Sequence, residues 1–442
     1  MKIPPVKGTR DFYPQDMARR NWIIDGWKKV SVRNGFEEYD GPIFEYLKMF
    51  QIKSGDEIVE QLFSFQDRGG RDLALRPEIT PTLARMVNQQ INSLPKPIKW
   101  FSVPRLFRAE RPQKGRLREF FQWNIDIISE DDVLADAEII FTTIDYLQEV
   151  GLSSKDVKVK MSSRKLLVAV LKNIGIPESK HDVLYTVLDK KSKIPPETFR
   201  DVLDEQVKDS EKAAKIEAFM ELDSITKVEK MFSHDDEVVM ANDELAEVRH
   251  HLDQMGVADY CVFDPSIVRG LAYYTGVVFE VHDVVGDLRA ICGGGRYDNL
   301  LHDFGGPQVP ATGMGMGDCV LEILLEKKGL IDKNLPEKRL DYFVATVDKP
   351  INIETVDGIV KKTEKDIVIQ LTANLRLAGY SAAFSYKSGG LGKQLKEASE
   401  QKAKKCIIIG DEFKENKLAV KDMETGKQVL VDYDKFLSDL MS

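Results

Sequence analysis

Cysteine is scarce in this chain. There are four in 442 residues (Cys261, Cys292, Cys319 and Cys406), widely spaced, with no CxxC pair and no histidine nearby at metal spacing. That excludes a disulfide framework and a zinc site, and the thiols read as reduced, as in a cytoplasmic protein. Long apolar runs are missing too: nothing approaches the ~20 consecutive apolar residues a membrane span needs. The opening MKIPPVKGTRDFYP has no apolar stretch behind its basic residues, which argues against a signal peptide. Excess positive charge is lacking as well. A net charge of -9 argues against a nonspecific nucleic-acid coat but leaves room for a local basic footprint. Internal repeats and low-complexity tracts are absent. What is present, 43% hydrophobic and 31% charged residues, suits a globular chain of two or three domains.

Composition shifts mark the organisation. The first 155 residues or so alternate helical segments, such as Met17 to Asn34, with short apolar runs bounded by Gly and Pro. Residues from about 172 to 257 turn rich in Lys, Glu and Asp with helical periodicity, and Ile194-Pro195-Pro196-Glu197 reads as a helix start because Pro fits a first turn. This stretch is expected to be a helical insertion. Strand-like runs return at Val277–Val281 and Ala290–Cys292, and a polar linker is expected from Glu326 to Arg339. Beyond it, strands are expected at Tyr342–Val347, Ser381–Tyr386, Cys406–Ile409, Leu418–Lys421 and Gln428–Asp432. Helices are expected at Asp366–Leu377, stopped by Gly379, and at Gly392–Lys404. Such alternation indicates a small α/β domain with a partly parallel sheet.

One hairpin concentrates the positive charge. From Lys99 to Arg118 there are seven cations and a single anion, Glu110, in an otherwise acidic chain. Read at period two, residues 117–128 put Leu117, Glu119, Phe121, Trp123, Ile125 and Ile127 on one face. The other face carries Arg118, Phe120, Gln122, Asn124, Asp126 and Ile128. A half-solvated antiparallel sheet meeting water accounts for alternation alone. A bulky aromatic in the middle of the polar face asks for something flat to cover it. An Arg fork for phosphate, an aromatic for a base and a carboxylate for a polar side chain together suit a nucleotide plus a small amphoteric ligand.

The pattern Phe107-Arg108-x-Glu110-Arg111-Pro112-Gln113-Lys114-Gly115-Arg116-x-Arg118-Glu119-Phe120-x-Gln122 resembles motif 2 of the class II aminoacyl-tRNA synthetases in the histidyl branch of that family. Other stretches resemble the family in the same order. They are Gly8-Thr9-Arg10-Asp11, the motif 1-like Gly35-Phe36 through Pro42 and Phe44, and Leu75-Arg76-Pro77-Glu78-x-Thr80. Arg269-Gly270-Leu271-x-Tyr273-Tyr274-Thr275-Gly276 and Gly294-Gly295-Arg296-Tyr297-Asp298 follow. The resemblance covers nearly the whole chain. It implies an α+β and α/β multidomain fold: a catalytic domain over residues 1–325, built on an antiparallel sheet with the helical insertion, a linker at 326–338, and an anticodon-binding α/β domain at 339–442. The implied activity is ATP-dependent activation of L-histidine to histidyl-adenylate, with Mg²⁺ bridging the phosphates, then transfer to the 3' end of tRNA(His). A homodimer is implied by motif 1, and no membrane.

The resemblance also assigns roles. Arg108 and Arg269 would flank the α-phosphate as the catalytic pair, and Arg108, Glu110, Arg116 and Phe120 would hold ATP. Glu78, Thr80 and Gln122 would take the α-amino group of histidine. Asp126 and Tyr274 would take the imidazole nitrogens, with Tyr273 beside them, and Arg269 would also belong to the histidine-binding set. Arg111, Gln113 and Lys114 at the hairpin tip would meet the tRNA acceptor end, and no metal ligands are assigned. Without the family, Tyr273-Tyr274 would read as core packing. Gly293-Gly294-Gly295 would read as a turn needing backbone freedom, with Arg296 structural. Gly313-x-Gly315-x-Gly317 lacks the GxGxxG spacing of a dinucleotide loop.

Two departures stand out. Val320 occupies the place of the arginine that ends the family's third motif, leaving Arg118 or Arg289 as substitutes at that end of the nucleotide, and Ala272 replaces a common Asp. The alternative function is a non-catalytic histidine-binding paralogue, the regulatory subunit of ATP phosphoribosyltransferase. Glu78, Arg108 and Arg269 together, and the C-terminal domain, weigh against it.

Overall fold

The computed structural model of the chain describes residues 3–52, 61–191, 194–268, 274–335, 339–346, 350–355, 358–387 and 389–441. They form two compact units, Met1–Leu335 and Pro336–Ser442. The first is built on a nine-stranded, largely antiparallel sheet. At its centre the long strand Glu119–Ile128 pairs with Ile98–Ser102 on one side and Ala311–Gly317 on the other. Cys292–Arg296, Val277–Asp283 and Val157–Ser163 continue the sheet, and Arg105–Phe107 extends the hairpin against the start of the long strand.

The period-two reading holds from Phe120 onward; Leu117 and Arg118 precede the strand and depart from it, since Leu117 lines the cleft and Arg118 does not. Phe121, Trp123, Ile125 and Ile127 join the main core under the helices Pro14–Arg33 and Leu134–Glu149. There Trp27 stacks on Trp123 with ring centroids 6.3 Å apart, and the Trp123 indole N–H donates to Ser31 Oγ at 2.8 Å. Burying these rings is the main energetic anchor of the sheet, since large aromatics dominate core energetics. The opposite face packs a smaller cluster, including Ile79, Leu83, Tyr274 and Tyr297, against the helix Thr80–Gln90 and leaves a cleft open beside it.

Among the described residues, six α-helices and one short 3-10 helix run from Arg164 to Gln254 before the strand Cys261–Phe263 returns parallel to Val157–Ser163. Pro196 opens the helix Pro196–Val207, as its fixed φ and missing N–H favour, and Asp209 caps the next helix by accepting from the Glu211 and Lys212 amides.

Part of the stretch read as a linker is helical, since Asp318–Lys327 ends in it and Leu330–Asn334 lies within it.

Strand order in the second unit is Ala382–Phe384, Tyr342–Thr346, Lys405–Ile409, Lys417–Asp422, Gln428–Asp432, the first three parallel. Alternation along Tyr342–Thr346 sends Val344 to the face covered by the helices Glu364–Leu377 and Tyr433–Met441, and Phe343 and Ala345 to the face covered by Leu391–Glu400. The mixed sheet with helices on both faces agrees with the expected α/β class. Two pieces were not expected: the antiparallel pair Pro350–Thr355 and Gly358–Thr363, and the C-terminal helix.

Candidate active site

The open face of the first unit holds a cleft of about 1140 Å³. Its floor is made of three neighbouring strands. From Glu119–Ile128 come Phe120, Gln122, Asn124 and Asp126, the even-numbered set; the other two strands contribute almost no side chain there. Register explains why. Gly313 lies opposite Asp126 and Gly315 opposite Asn124. A Cβ at Gly313 would sit 2.1 Å from Asp126 Oδ1, and one at Gly315 would sit 2.8 Å from Gln122 Nε2. The third-motif glycines are therefore strand residues that make room for polar neighbours.

The run Gly293-Gly294-Gly295 is likewise a strand, Cys292–Arg296, and not the expected turn. Its glycines reflect close approach rather than positive φ: a Cβ at Gly294 would lie 2.2 Å from the Gly313 carbonyl, and one at Gly295 2.5 Å from that of Val277.

Asp126 lies at the bottom of this floor, 4% exposed, and accepts a hydrogen bond from the Tyr297 hydroxyl. Burial pushes its carboxyl up to about 7, with the Tyr297 bond opposing the shift. The Tyr39 hydroxyl is buried nearby with no hydrogen-bond partner among the described residues, and its pKa is raised by burial first and by the Asp126 charge second. Glu78 and Tyr274, both nearly buried, and Thr80, at the start of the helix Thr80–Gln90, complete this wall.

The loop carrying Glu78 is pinned by Arg76. Only 2% exposed, Arg76 donates to Asp40 Oδ1 at 2.6 Å, to the Gly41 carbonyl at 2.8 Å and to the Arg105 carbonyl at 3.1 Å. Farther along the hairpin, Arg108 donates from Nε to the Pro77 carbonyl at 3.1 Å and holds its guanidinium carbon 5.1 Å from the Phe120 ring centre. Glu110 pairs with Arg116 at 2.6 Å.

The sequence of residues 8–317 matches the family model described as histidyl-tRNA synthetase, and residues 350–441 match that of an anticodon-binding domain. The chain belongs to the histidyl-tRNA synthetase family. It is 38% identical over 445 residues to the histidine–tRNA ligase, chloroplastic/mitochondrial, of Arabidopsis thaliana, covering 99% of this chain and 86% of that one. It is also 38% identical over 426 residues to the histidine–tRNA ligase of Opitutus terrae, with 95% and 94% covered. In fold it is similar to the histidyl-tRNA synthetase of Nostoc sp. PCC 7120, with a TM-score of 0.80, 24% identity, and 100% and 99% of the two chains covered.

Set against the residues expected for a histidyl-tRNA synthetase, the cleft brings together Glu78, Thr80, Arg108, Glu110, Arg116, Phe120, Gln122, Asp126 and Tyr274. Arg269 and Tyr273 lie outside the described residues. Arg111, Gln113 and Lys114 stand exposed at the hairpin tip, apart from the cleft lining, where Gln113 and Arg116 exchange backbone hydrogen bonds around Gly115. Arg296 faces the core side, paired with Asp136 at 2.7 Å.

Tyr297 is the residue that sequence reading left without a role. Its one signal is position, directly after the Gly-Gly-Arg run. Among the described residues no group of three or more His, Cys, Asp or Glu side chains is disposed to hold a metal ion.

Proposed function

We propose that this cleft joins L-histidine to ATP, giving histidyl-adenylate and pyrophosphate, and then passes the histidyl group to a terminal ribose hydroxyl of tRNA(His). Family membership makes the chain a histidine–tRNA ligase, an ATP-using aminoacyl-tRNA synthetase. The attacking carboxylate is already ionised, so the first step asks for alignment and charge stabilisation rather than a protein base. In this reading Arg108 meets the α-phosphate from the hairpin side and Arg269 from the other, while Phe120 stacks on adenine and Glu110 and Arg116 hold the nucleotide. Mg²⁺ arrives bound mainly to the ATP phosphates.

Histidine is read by Glu78, Thr80 and Gln122 at its α-amino group and by Asp126 and Tyr274 at its ring nitrogens, with Tyr273 beside that pair and Arg269 also in the histidine-binding set. A buried partner for each polar atom rejects analogues lacking that atom. The observation that carries this reading is the single cleft shared by Asp126, Gln122, Glu78, Arg108 and Phe120.

The hairpin tip, with Arg111, Gln113 and Lys114, takes the acceptor end. Residues 1–325 act as the catalytic domain, 172–257 as an insertion bracing the acceptor stem, 326–338 as a linker and 339–442 as the anticodon-binding domain. A homodimer is supported by exposed apolar side chains on the small sheet of Phe44–Tyr46, Ser64–Gln66 and Asp72–Leu75, where Phe44, Tyr46 and Phe65 are 53%, 57% and 45% exposed. No described helix is long and apolar enough to cross a membrane, and we place the work of the enzyme in the cytoplasm. Histidine-dependent exchange of pyrophosphate into ATP, followed by charging of tRNA(His), tests the whole. Histidine binding without exchange would instead support the regulatory-subunit reading.

A further inference from the structure

The roles above leave the outer phosphates of ATP without a protein partner. Among the described residues lining the cleft, carboxylates outnumber Lys and Arg side chains six to five, so each cation matters to a polyanionic ligand, above all one with no partner of its own. Four of the five are engaged. Arg116 pairs with Glu110, and Lys160 lies 2.9 Å from Asp264. Lys158 donates to the Asp259 carbonyl at 2.5 Å, and Arg108 is held by the Pro77 carbonyl and the Phe120 ring. The fifth, Arg289, is exposed and makes no hydrogen bond or ion pair with a described residue.

Its position matters as much as its freedom. Arg289 lies on the segment joining Val277–Asp283 to Cys292–Arg296. That segment faces the helix Asp318–Lys327, because Asp287 pairs with Lys327 at 2.5 Å, a bond that leads the lowering of its pKa, with the Lys114 charge of the hairpin tip a smaller contributor. The tip meets the same helix, since a Cβ on Gly115 would lie 3.0 Å from Val320 Cγ2. Gly115, Val320 and Arg289 all line the one cleft. Valine offers nothing to a phosphate at this mouth. Arg118 does not line the cleft; its Nε donates to the Glu110 carbonyl at 3.0 Å and its stem packs against Gly8.

We propose that Arg289 binds the β- and γ-phosphates of ATP, supplying the cation that Val320 does not. This rests on the reading of the cleft as an ATP site. A guanidinium fork matches two phosphate oxygens at once, and an exposed arginine is free to close on the nucleotide as it enters.

The test compares ATP with AMP, which lacks the two outer phosphates. Equilibrium binding to the full chain with Mg²⁺ present is measured for the unaltered protein, Arg289→Ala and Arg289→Lys. For the alanine variant ATP affinity is expected to fall about tenfold or more, the loss typical of one charge-assisted bond, with AMP affinity unchanged and part of the loss recovered by lysine. In pyrophosphate exchange the KM for ATP rises in step while that for histidine stays level. Equal losses for ATP and AMP, no loss for either, or a change confined to the KM for tRNA would overturn the assignment. If the unaltered chain exchanges no pyrophosphate, histidine activation is what fails, and the ATP-against-AMP comparison still decides Arg289.

Discussion

The Tyr297 hydroxyl donates to the carboxylate of Asp126 across a strand boundary, 171 residues apart in the chain, and both groups are buried. Tyr297→Phe keeps the ring and removes the donor, leaving the carboxylate short of one bond. The KM for histidine in pyrophosphate exchange should rise about tenfold, from the 1–3 kcal/mol cost of an unsatisfied buried group, with the KM for ATP unchanged. A parallel rise in both constants would mean that the tyrosine supports the fold rather than the histidine site.

Acidity of the medium should act through the same carboxylate. Asp126 is raised from its ordinary value to about 7, so below that pH the empty site holds a proton that must leave before the carboxylate can accept an imidazole N–H. Histidine affinity should therefore weaken as pH falls through 7, by at most about tenfold per unit. Asp126→Asn, which cannot titrate, should bind weakly with a flat profile over the same interval. Calorimetric titration with histidine from pH 6 to 8.5 checks both.

Removing the guanidinium proposed to meet the α-phosphate is the severest test of the catalytic reading. Arg108→Ala should lower kcat for pyrophosphate exchange by a factor of roughly 10² to 10³, as for one lost oxyanion donor. Arg108→Lys should recover little, because a point charge does not reproduce the planar fork. Stopped-flow measurement of adenylate formation isolates this step from product release.

A methyl group at Gly313 would land on Asp126 Oδ1 at 2.1 Å and on the Ile125 carbonyl at 2.9 Å. One of these atoms is backbone in a central strand, so relaxation is costly. Gly313→Ala should abolish histidine activation and destabilise the unit by about 1–3 kcal/mol, the usual range for overpacking. Thermal unfolding and histidine binding, followed on the same sample, separate the two effects.

The exposed rings Phe44 and Phe65, centroids 6.3 Å apart, make the proposed dimer testable. Phe44→Glu places a charge where a partner's apolar surface would lie, and light scattering should report the mass of one chain instead of two. An unchanged mass would move the interface elsewhere.

Much of the cleft is legible in the sequence because a strand has a period of two. Once the hairpin is recognised, Phe120, Gln122, Asn124 and Asp126 must share a face, and Phe121, Trp123 and Ile125 must share the other. Helix starts such as Pro196 are equally plain, since they depend on local backbone chemistry. Residues whose meaning depends on register between distant strands are harder. Gly293 to Gly295 look like a turn because glycine usually marks one, and nothing local says that the neighbouring backbone comes too near for a Cβ. Tyr297 resembles any core aromatic until its hydroxyl is found on Asp126. The C-terminal helix has Tyr433, Phe436, Leu437 and Leu440 at helical spacing, all packed on the second sheet, a short signal at the end of a run of strands.

Glycine's dominance of two of the three floor strands has a practical meaning for altering what this protein accepts. A pocket walled by side chains can be enlarged by trimming them; here Gly293, Gly313 and Gly315 leave nothing to trim. On this floor, admitting a bulkier amino acid must come from shortening Gln122, Asn124 or the pair Asp126 and Tyr297, and Gln122 and Asp126 are proposed to read the ligand. Breadth and recognition are thus drawn from one set of atoms, and a variant that gains the first should forfeit the second.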